Sequence, residues 1–389
     1  MSSRSLVIFT LGGVVHALQR PICTDHTDLT RFPGPDGRCD GIIQNAADWD
    51  RRRKDILVGF AAVAGTLPAR ENLPPLDVQI VDTKVLAGGV RRLNLTYDSG
   101  EANAQMRVPA FLYLPPATAI AASPGGKAPC ILASHPTSVA GKKYAEIRSP
   151  PLDYAVELAE RGYAVVQPDY PSMGGMRGYN FTRAEADGSW ASGTLKAVWD
   201  NMRAIDLLEA RNDTNIDQLA AIGHSSGGHN SLFTSVLDER IKVVVSSCGW
   251  TPWQYYVLHA PLARSWALPK YMPRISTVFH DDIPSIPFDF YELVAAIAPR
   301  PFFSNSPYTD FNFNVSGVWA TVPKVRPIWK LFDAEGEGSL HVEYPAGGCM
   351  SEGGSHDCGH DFPAGTRLEA YQFIDRHLGV SCRPVVGKK

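Results

Sequence analysis

Neither charge is in surplus along this chain of 389 residues: 37 Lys and Arg against 40 Asp and Glu leave a formal net charge of −3, and no run of like charges forms a tail. That balance excludes an electrostatic footprint for nucleic acid or an anionic membrane surface, and it fits a small, roughly neutral substrate. The apolar run Leu6 to Val15 is too short for a membrane span, which needs roughly 20 apolar residues. No period recurs, so repeat architectures are excluded. Cys349, His356, Cys358 and His360 cluster in sequence, but their spacing matches no familiar zinc pattern.

What is present is an ordinary globular composition, 44% hydrophobic and 10% aromatic, with enough chain for a sizeable core. The start, "MSSRSLVIFTLGGVVHA", has one arginine, an apolar run and a small residue where a signal peptidase cuts. It reads as a signal peptide over 1–17, and hence as a secreted protein. Four N-x-[ST] sequons, at Asn94, Asn180, Asn212 and Asn314, are compatible with glycosylation on that route. Cys23 with Cys39 and Cys349 with Cys358 are spaced to close short disulfide loops. Cys130 and Cys248 lie in apolar runs and read as small buried hydrophobes.

Residues 18–75 read as an N-terminal extension; from Cys23 to about Gly65 the chain is polar and turn-rich and ends in a helical pattern, "NAADWDRRRKDILVGFAAVAG". "VQIVDTKVLAGGVRRLNLTYDS" and "MRVPAFLYLPP" then alternate apolar and polar residues around turns, the pattern of an antiparallel strand meander. From Cys130 onward strands and helices alternate: "APCILASHP", "YAVELAERGY", "AVVQPDYP", "GTLKAVWDNMRAIDLLEAR", "QLAAIGHSS", "IKVVVSSCGW", "RPFFSNS", "SLHVEYP" and "TRLEAYQFIDRHL". This rhythm predicts a mainly parallel sheet with helices on both faces. Residues 250–290, rich in Trp, Tyr, Pro and His, interrupt it and read either as a pocket wall or as a packed insertion.

Gly223-His224-Ser225-Ser226-Gly227 fits G-x-S-x-G between an apolar strand and a helix, the context in which that motif forms a sharp turn presenting its serine above a sheet. The register makes Ser225 the nucleophile. A serine hydroxyl needs a histidine to take its proton and a carboxylate to orient that histidine. In the fold that carries such a turn, the chain order is Ser, then Asp or Glu, then His. Asp310, shortly after "RPFFSNS", fits the acid; Asp333 is the reserve, and Asp289 precedes the strand and suits less. His360, just before the last helix, fits the base better than His356. His224 and His229 beside the serine do not fit it, since the turn sends His224 away and His229 enters the helix. The oxyanion needs N–H donors: one from Ser226, after the nucleophile, and one from the loop "ILASHPTSVAG", where Pro136 has no N–H and Thr137 is the best candidate. His135 shapes that loop.

The segments "VPAFLYLPP", "ILASHPTSVAGK", "YAVELAERGYAVVQPDYPSMGG", "GTLKAVWDNMRAIDLL", "IGHSSGGHNSLF", "FYELVAAIAPRPFF" and "GHDFP" run in this order from about residue 105 to 378. Together they resemble the α/β-hydrolases, and more closely the dienelactone-hydrolase and acetyl-xylan-esterase-like branch. The resemblance implies an α/β-hydrolase fold over 76–389, an aromatic-rich insertion at 250–290, and a triad of Ser225, Asp310 and His360. It implies a serine carboxylic-ester hydrolase that needs no cofactor or metal and acts on a small-molecule ester. The serine nucleophile departs from the cysteine of dienelactone hydrolases proper and points to ordinary ester hydrolysis. The core also resembles prolyl-oligopeptidase-type peptidases, but only about a hundred residues precede it here. A binding protein on the same scaffold, an acyltransferase and a lactonase stay open as alternatives.

Overall fold

A computed structural model describes residues 8–11, 14–17, 20–101, 104–144, 152–334, 338–346 and 359–381. Two short antiparallel pairs come first, β1 (Ile8–Leu11) with β2 (Val14–Ala17) and β3 (Arg31–Phe32) with β4 (Gly41–Ile42). The main sheet is built from β5 (Gln79–Val85), β6 (Arg91–Tyr97), β7 (Val108–Leu114), β8 (Ala128–Ser134), β9 (Ala164–Pro168), β10 (Thr214–His224), β11 (Val243–Ser247), β12 (Phe302–Asn305) and β13 (Leu340–Glu343). Their spatial order is β13-β12-β11-β10-β8-β9-β7-β6-β5. Strands β8 to β13 pair in parallel, while β5, β6 and β7 form the expected antiparallel meander and join through β7 to β9.

The parallel strands are apolar on both faces because helices cover both. Along β10, Leu219 and Ala221 point to one core while Ala220 and Ile222 point to the other; Cys130 and Leu132 of β8 oppose Ile131 and Ala133 in the same way. The helices Ala46–Ala64, Gly193–Glu209, Ser226–Leu237 and Val315–Lys330 pack on the first face, through residues such as Phe60, Met202, Phe233 and Trp329. Tyr154–Glu160 and Ala364–Leu378 cover the second, through Leu158, Phe373 and Ile374. Each such buried side chain stabilises the fold by ~1.5–3 kcal/mol before chain entropy is subtracted.

The segment 20–75 is tied to this core. Its helix Ala46–Ala64 starts under an Asn45 cap that accepts the N–H groups of Ala47 and Asp48. Arg52, fully buried, bonds Asp55 at 3.0 Å and Glu292 at 2.5 Å, and the Asp55 carboxylate accepts the backbone N–H groups of Ile22 and Cys23. Cys23 forms the expected disulfide with Cys39. The second expected pair, Cys349 with Cys358, lies outside the described residues, as do His356 and most of the expected signal peptide. No helix among the described residues is long and apolar enough to cross a membrane.

Residues 250–290 hold only short helical turns, and they are packed as well as placed at the site. Trp253 is buried and donates to the Phe288 carbonyl, and Trp266 sits among Phe233, Trp253 and Phe290 with ring centroids 5.3–6.1 Å apart.

Candidate active site

The strand β10 ends at His224, and the helix begins at Ser226, so Ser225 alone makes the turn. Its φ of 56° lies in the left-handed region that side-chain-bearing residues rarely occupy, and its N–H bonds the Ser247 carbonyl of β11 at 2.8 Å. Two glycines permit this. A β-carbon on Gly223 would stand 2.2 Å from the Gly227 carbonyl oxygen, and one on Gly227 would stand 2.0 Å from the Ser134 carbonyl oxygen. Strand, turn and helix close on one another only because both positions lack side chains.

Asp310 and His360 arrive from two loops at the same carboxyl edge of the sheet. Asp310 follows β12, and its buried Oδ1 accepts the N–H groups of Asn312 at 2.8 Å and Phe313 at 3.0 Å, an Asx-type turn that aims the carboxylate. His360 follows β13. Its Nδ1 lies 3.0 Å from Asp310 Oδ1 and its Nε2 lies 2.9 Å from Ser225 Oγ. Gly359 before it has φ 97°, and a β-carbon there would stand 2.3 Å from Thr309, so the His360 loop lies directly on the Asp310 loop. The rings of Phe311 and Phe313 flank His360, edge-on at 5.4 Å and stacked at 6.0 Å. The structure thus brings Ser225, His360 and Asp310 into one chain of contacts. The other acids do not join it: Asp289 caps the helix Phe290–Ala295, and Asp333 is exposed in the turn after Val315–Lys330.

Thr137 and Ser226 line one narrow cleft with Ser225, together with His229, Trp266 and Tyr271. The Ser226 N–H sits in the first turn of a helix, where backbone donors have no intrahelical partner. Thr137 Oγ1 contacts the Tyr271 hydroxyl at 3.1 Å, which links the loop after β8 to the 250–290 wall. His135 is buried one residue into that loop; its Nε2 accepts the Tyr170 N–H at 3.0 Å, and burial pushes its pKa down. It holds the loop.

The ring of His224, just before the serine, packs against that of His360 with centroids 5.0 Å apart. His224 Nδ1 contacts Ser247 Oγ at 2.9 Å. His229 is buried against Trp266, with ring centroids 4.6 Å apart, and burial pushes its pKa down to about 3, so it is a neutral ring.

Sequence reasoning missed three contributors. Asn312 and Phe313 supply backbone donors to Asp310; an Asp followed two residues later by Asn was the available signal, an Asx turn. Cys248, read as a small apolar filler, is buried as expected but lies beside the acid. Its φ is 46°, and both burial and the Asp310 charge push its thiol pKa well up. Among the described residues, Cys248, Asp310 and His360 form the one cluster of metal-ligating side chains, with donor atoms within 4.8 Å of one another.

Comparison with known proteins follows the same lines. Residues 187–333 match the family described as "Glucuronyl esterase, fungi". The 4-O-methyl-glucuronoyl methylesterase of Phanerochaete carnosa is 25% identical over 373 residues, which span 90% of this chain and 81% of that protein. The glucuronoyl esterase from Solibacter usitatus has a similar structure, with a TM-score of 0.66 at 20% identity over 96% of this chain and 99% of that one. So does the acetyl xylan esterase from Paenibacillus sp. R4, with a TM-score of 0.51 at 15% identity over 78% of this chain and 89% of that one. Strand order, the turn at Ser225 and these similar structures together give the chain the α/β-hydrolase fold.

Proposed function

We propose that this protein is a serine carboxylic-ester hydrolase of carbohydrate esters, and that the ester it cleaves is of the glucuronoyl class. The observation that carries the reading is the unbroken line Ser225 Oγ, His360 Nε2, His360 Nδ1, Asp310 carboxylate, at 2.9 and 3.0 Å. Such a line lets the hydroxyl lose its proton as it attacks, while the carboxylate fixes the tautomer and stabilises the imidazolium.

Ser225 Oγ adds to the ester carbonyl carbon as its proton passes to His360 Nε2. The tetrahedral oxyanion is held by the N–H groups of Ser226 and Thr137, where donors placed for the developing charge lower the barrier. Collapse breaks the ester C–O bond, and His360 returns the proton to the leaving alcohol. A water activated by the same histidine then releases the acid and restores Ser225. The glucuronoyl assignment is supported by the family match over 187–333 and by the methylesterase similar to this chain over most of its length.

In this reading 76–389 is the catalytic domain, 18–75 an extension packed against it, and 1–17 a signal peptide. The Cys23–Cys39 disulfide favours an oxidising, extracellular setting. The test is a pair of measurements. Ser225→Ala should abolish burst acylation by p-nitrophenyl acetate and labelling by a fluorophosphonate with folding intact. Alkyl esters of glucuronic acid should be turned over faster than acetylated sugars or aryl acetates. Undiminished turnover by Ser225→Ala removes the nucleophile assignment, and preference for acetylated sugars removes the glucuronoyl one.

A further inference from the structure

The ester reaction makes no use of Cys248, yet this thiol is buried against the two groups that prepare the nucleophile. It lies just beyond β11, with Sγ 3.4 Å from the Asp361 carbonyl and 3.7 Å from Asn305 Nδ2. Its Sγ, one Asp310 oxygen and one His360 nitrogen lie within 4.8 Å of one another. Thiolate, imidazole and carboxylate are the three side-chain donors that zinc prefers, at about 2.0–2.3 Å from the ion, which sets donors roughly 3.3–3.8 Å apart in a tetrahedron. Contraction by about 1.5 Å at most brings this trio to that spacing. Two anionic donors and one neutral ring also cancel the charge of a divalent ion, so a buried complex carries no net charge.

We propose that Cys248, Asp310 and His360 form an inhibitory binding site for a thiophilic divalent cation of the zinc and cadmium class. On binding, the Cys248 S–H proton leaves to solvent and an S–metal bond forms. The Asp310 carboxylate gives up its hydrogen bond to His360 and takes the ion. His360 bonds the ion through Nδ1, the nitrogen that faces Asp310, and its single ring proton moves to Nε2. One proton is released per ion, and no oxidant or reductant is involved. With its proton on Nε2, His360 has no lone pair facing Ser225 and cannot accept the hydroxyl proton. The fourth coordination position is open to water. A ligand set that includes a thiolate selects zinc and cadmium over magnesium and calcium, which prefer oxygen donors.

The inhibitory part rests on the reading of His360 as the base, whereas ion binding does not, so the two are tested separately. Cadmium binding is measured in the inactive Ser225→Ala protein by sulfur-to-cadmium charge-transfer absorbance and by titration calorimetry in buffers of different ionisation heat. The expected result is a Cys248-dependent band and one released proton per ion bound at this site, both lost in Ser225→Ala/Cys248→Ala and in Ser225→Ala/Cys248→Ser. In the protein with Ser225 intact, saturating zinc should lower ester turnover at least tenfold, with recovery on EDTA. Cys248→Ala and Cys248→Ser should raise the inhibitory zinc concentration at least tenfold. A band that survives both Cys248 substitutions overturns the site, as does equal zinc sensitivity in all three proteins. Binding without loss of turnover overturns the inhibitory part alone.

Discussion

Gly227 rests on the backbone of Ser134: a β-carbon on Gly227 would stand 2.0 Å from the Ser134 carbonyl oxygen and 2.9 Å from that of His135. Neither atom can yield as a flexible side chain would, because Ser134 ends the central strand β8 and His135 is pinned at both ring nitrogens. Gly227→Ala must therefore part the helix Ser226–Leu237 from β8. Overpacking costs ~1–3 kcal/mol, with rigid backbone as the neighbour placing this substitution at the upper end. The thermal midpoint should drop by several degrees, and turnover should fall further than stability explains, because Thr137 stands two residues beyond His135. A variant with an unchanged midpoint and full turnover would mean that the close contact is absent.

The Asp310 carboxylate lies at the far end of the His360 ring from the nucleophile, so its replacement probes orientation without touching Ser225. Asp310→Asn keeps the shape and the acceptor for the Asn312 and Phe313 N–H groups. It removes the negative charge that stabilises the His360 imidazolium and sets an NH2 group at the Oδ2 position, 3.2 Å from Nδ1, where it cannot accept. A loss of about 10³- to 10⁴-fold in kcat with little change in KM or thermal midpoint is expected. Steady-state kinetics on an activated ester measure it, and a loss under tenfold would move the acid elsewhere.

That Ser225, Asp310 and His360 come together was legible because each position depends on local chemistry that sequence carries. Gly223 and Gly227 bracket a serine between a strand and a helix, and the order of strands places an Asp and a His after it. The strand meander was legible from its period of two. The helix Val315–Lys330 went unnamed; Pro323 and Pro327 inside it oppose a helix on local propensity, whereas packing of Val318, Ile328 and Trp329 holds it helical. Cys248 was read as buried, and it is; its place beside Asp310 and His360 was not legible. Burial follows from an apolar run, but its neighbours are Asp310 and His360, 62 and 112 residues away, and only the fold brings them together.

The segment 20–75 looked like an appendage in sequence, yet it brings a charge into the core. Arg52 is fully buried between Asp55 and Glu292, and Asp55 in turn holds the backbone at Ile22 and Cys23. Removing the cation leaves two buried carboxylates without it, Asp55 holding the backbone at Ile22 and Cys23 and Glu292 beside His26 at 2.9 Å. Arg52→Ala should cost ~3–5 kcal/mol, the range for breaking a buried ion pair from one side. Urea unfolding should show a lower midpoint with a single transition. The exposed pair Lys54–Asp50 on the same helix serves as a control, and Lys54→Ala should leave the midpoint nearly unchanged. Equal effects of the two substitutions would place Arg52 in contact with solvent.

His229 makes stability depend on pH in one direction. Burial holds its folded-state pKa at about 3, against an ordinary value of 6.5, and both ring nitrogens lack a hydrogen-bond partner among the described residues. Between those values the unfolded chain binds a proton that the folded chain refuses, so acid favours unfolding. The contribution is fully present above pH 6.5, is lost as pH falls toward 3, and levels off below that. The slope for one proton is at most about 1.4 kcal/mol per pH unit. Carboxylates titrate in the lower part of the same window, so the informative quantity is the difference between wild type and His229→Phe. An apolar ring satisfies this site, since no hydrogen bond is lost. Urea midpoints measured from pH 8 to pH 4 should show wild type losing more stability than the variant, with the gap opening below pH 6.5. Parallel curves would mean that His229 takes up its proton in the folded protein as readily as in the unfolded one.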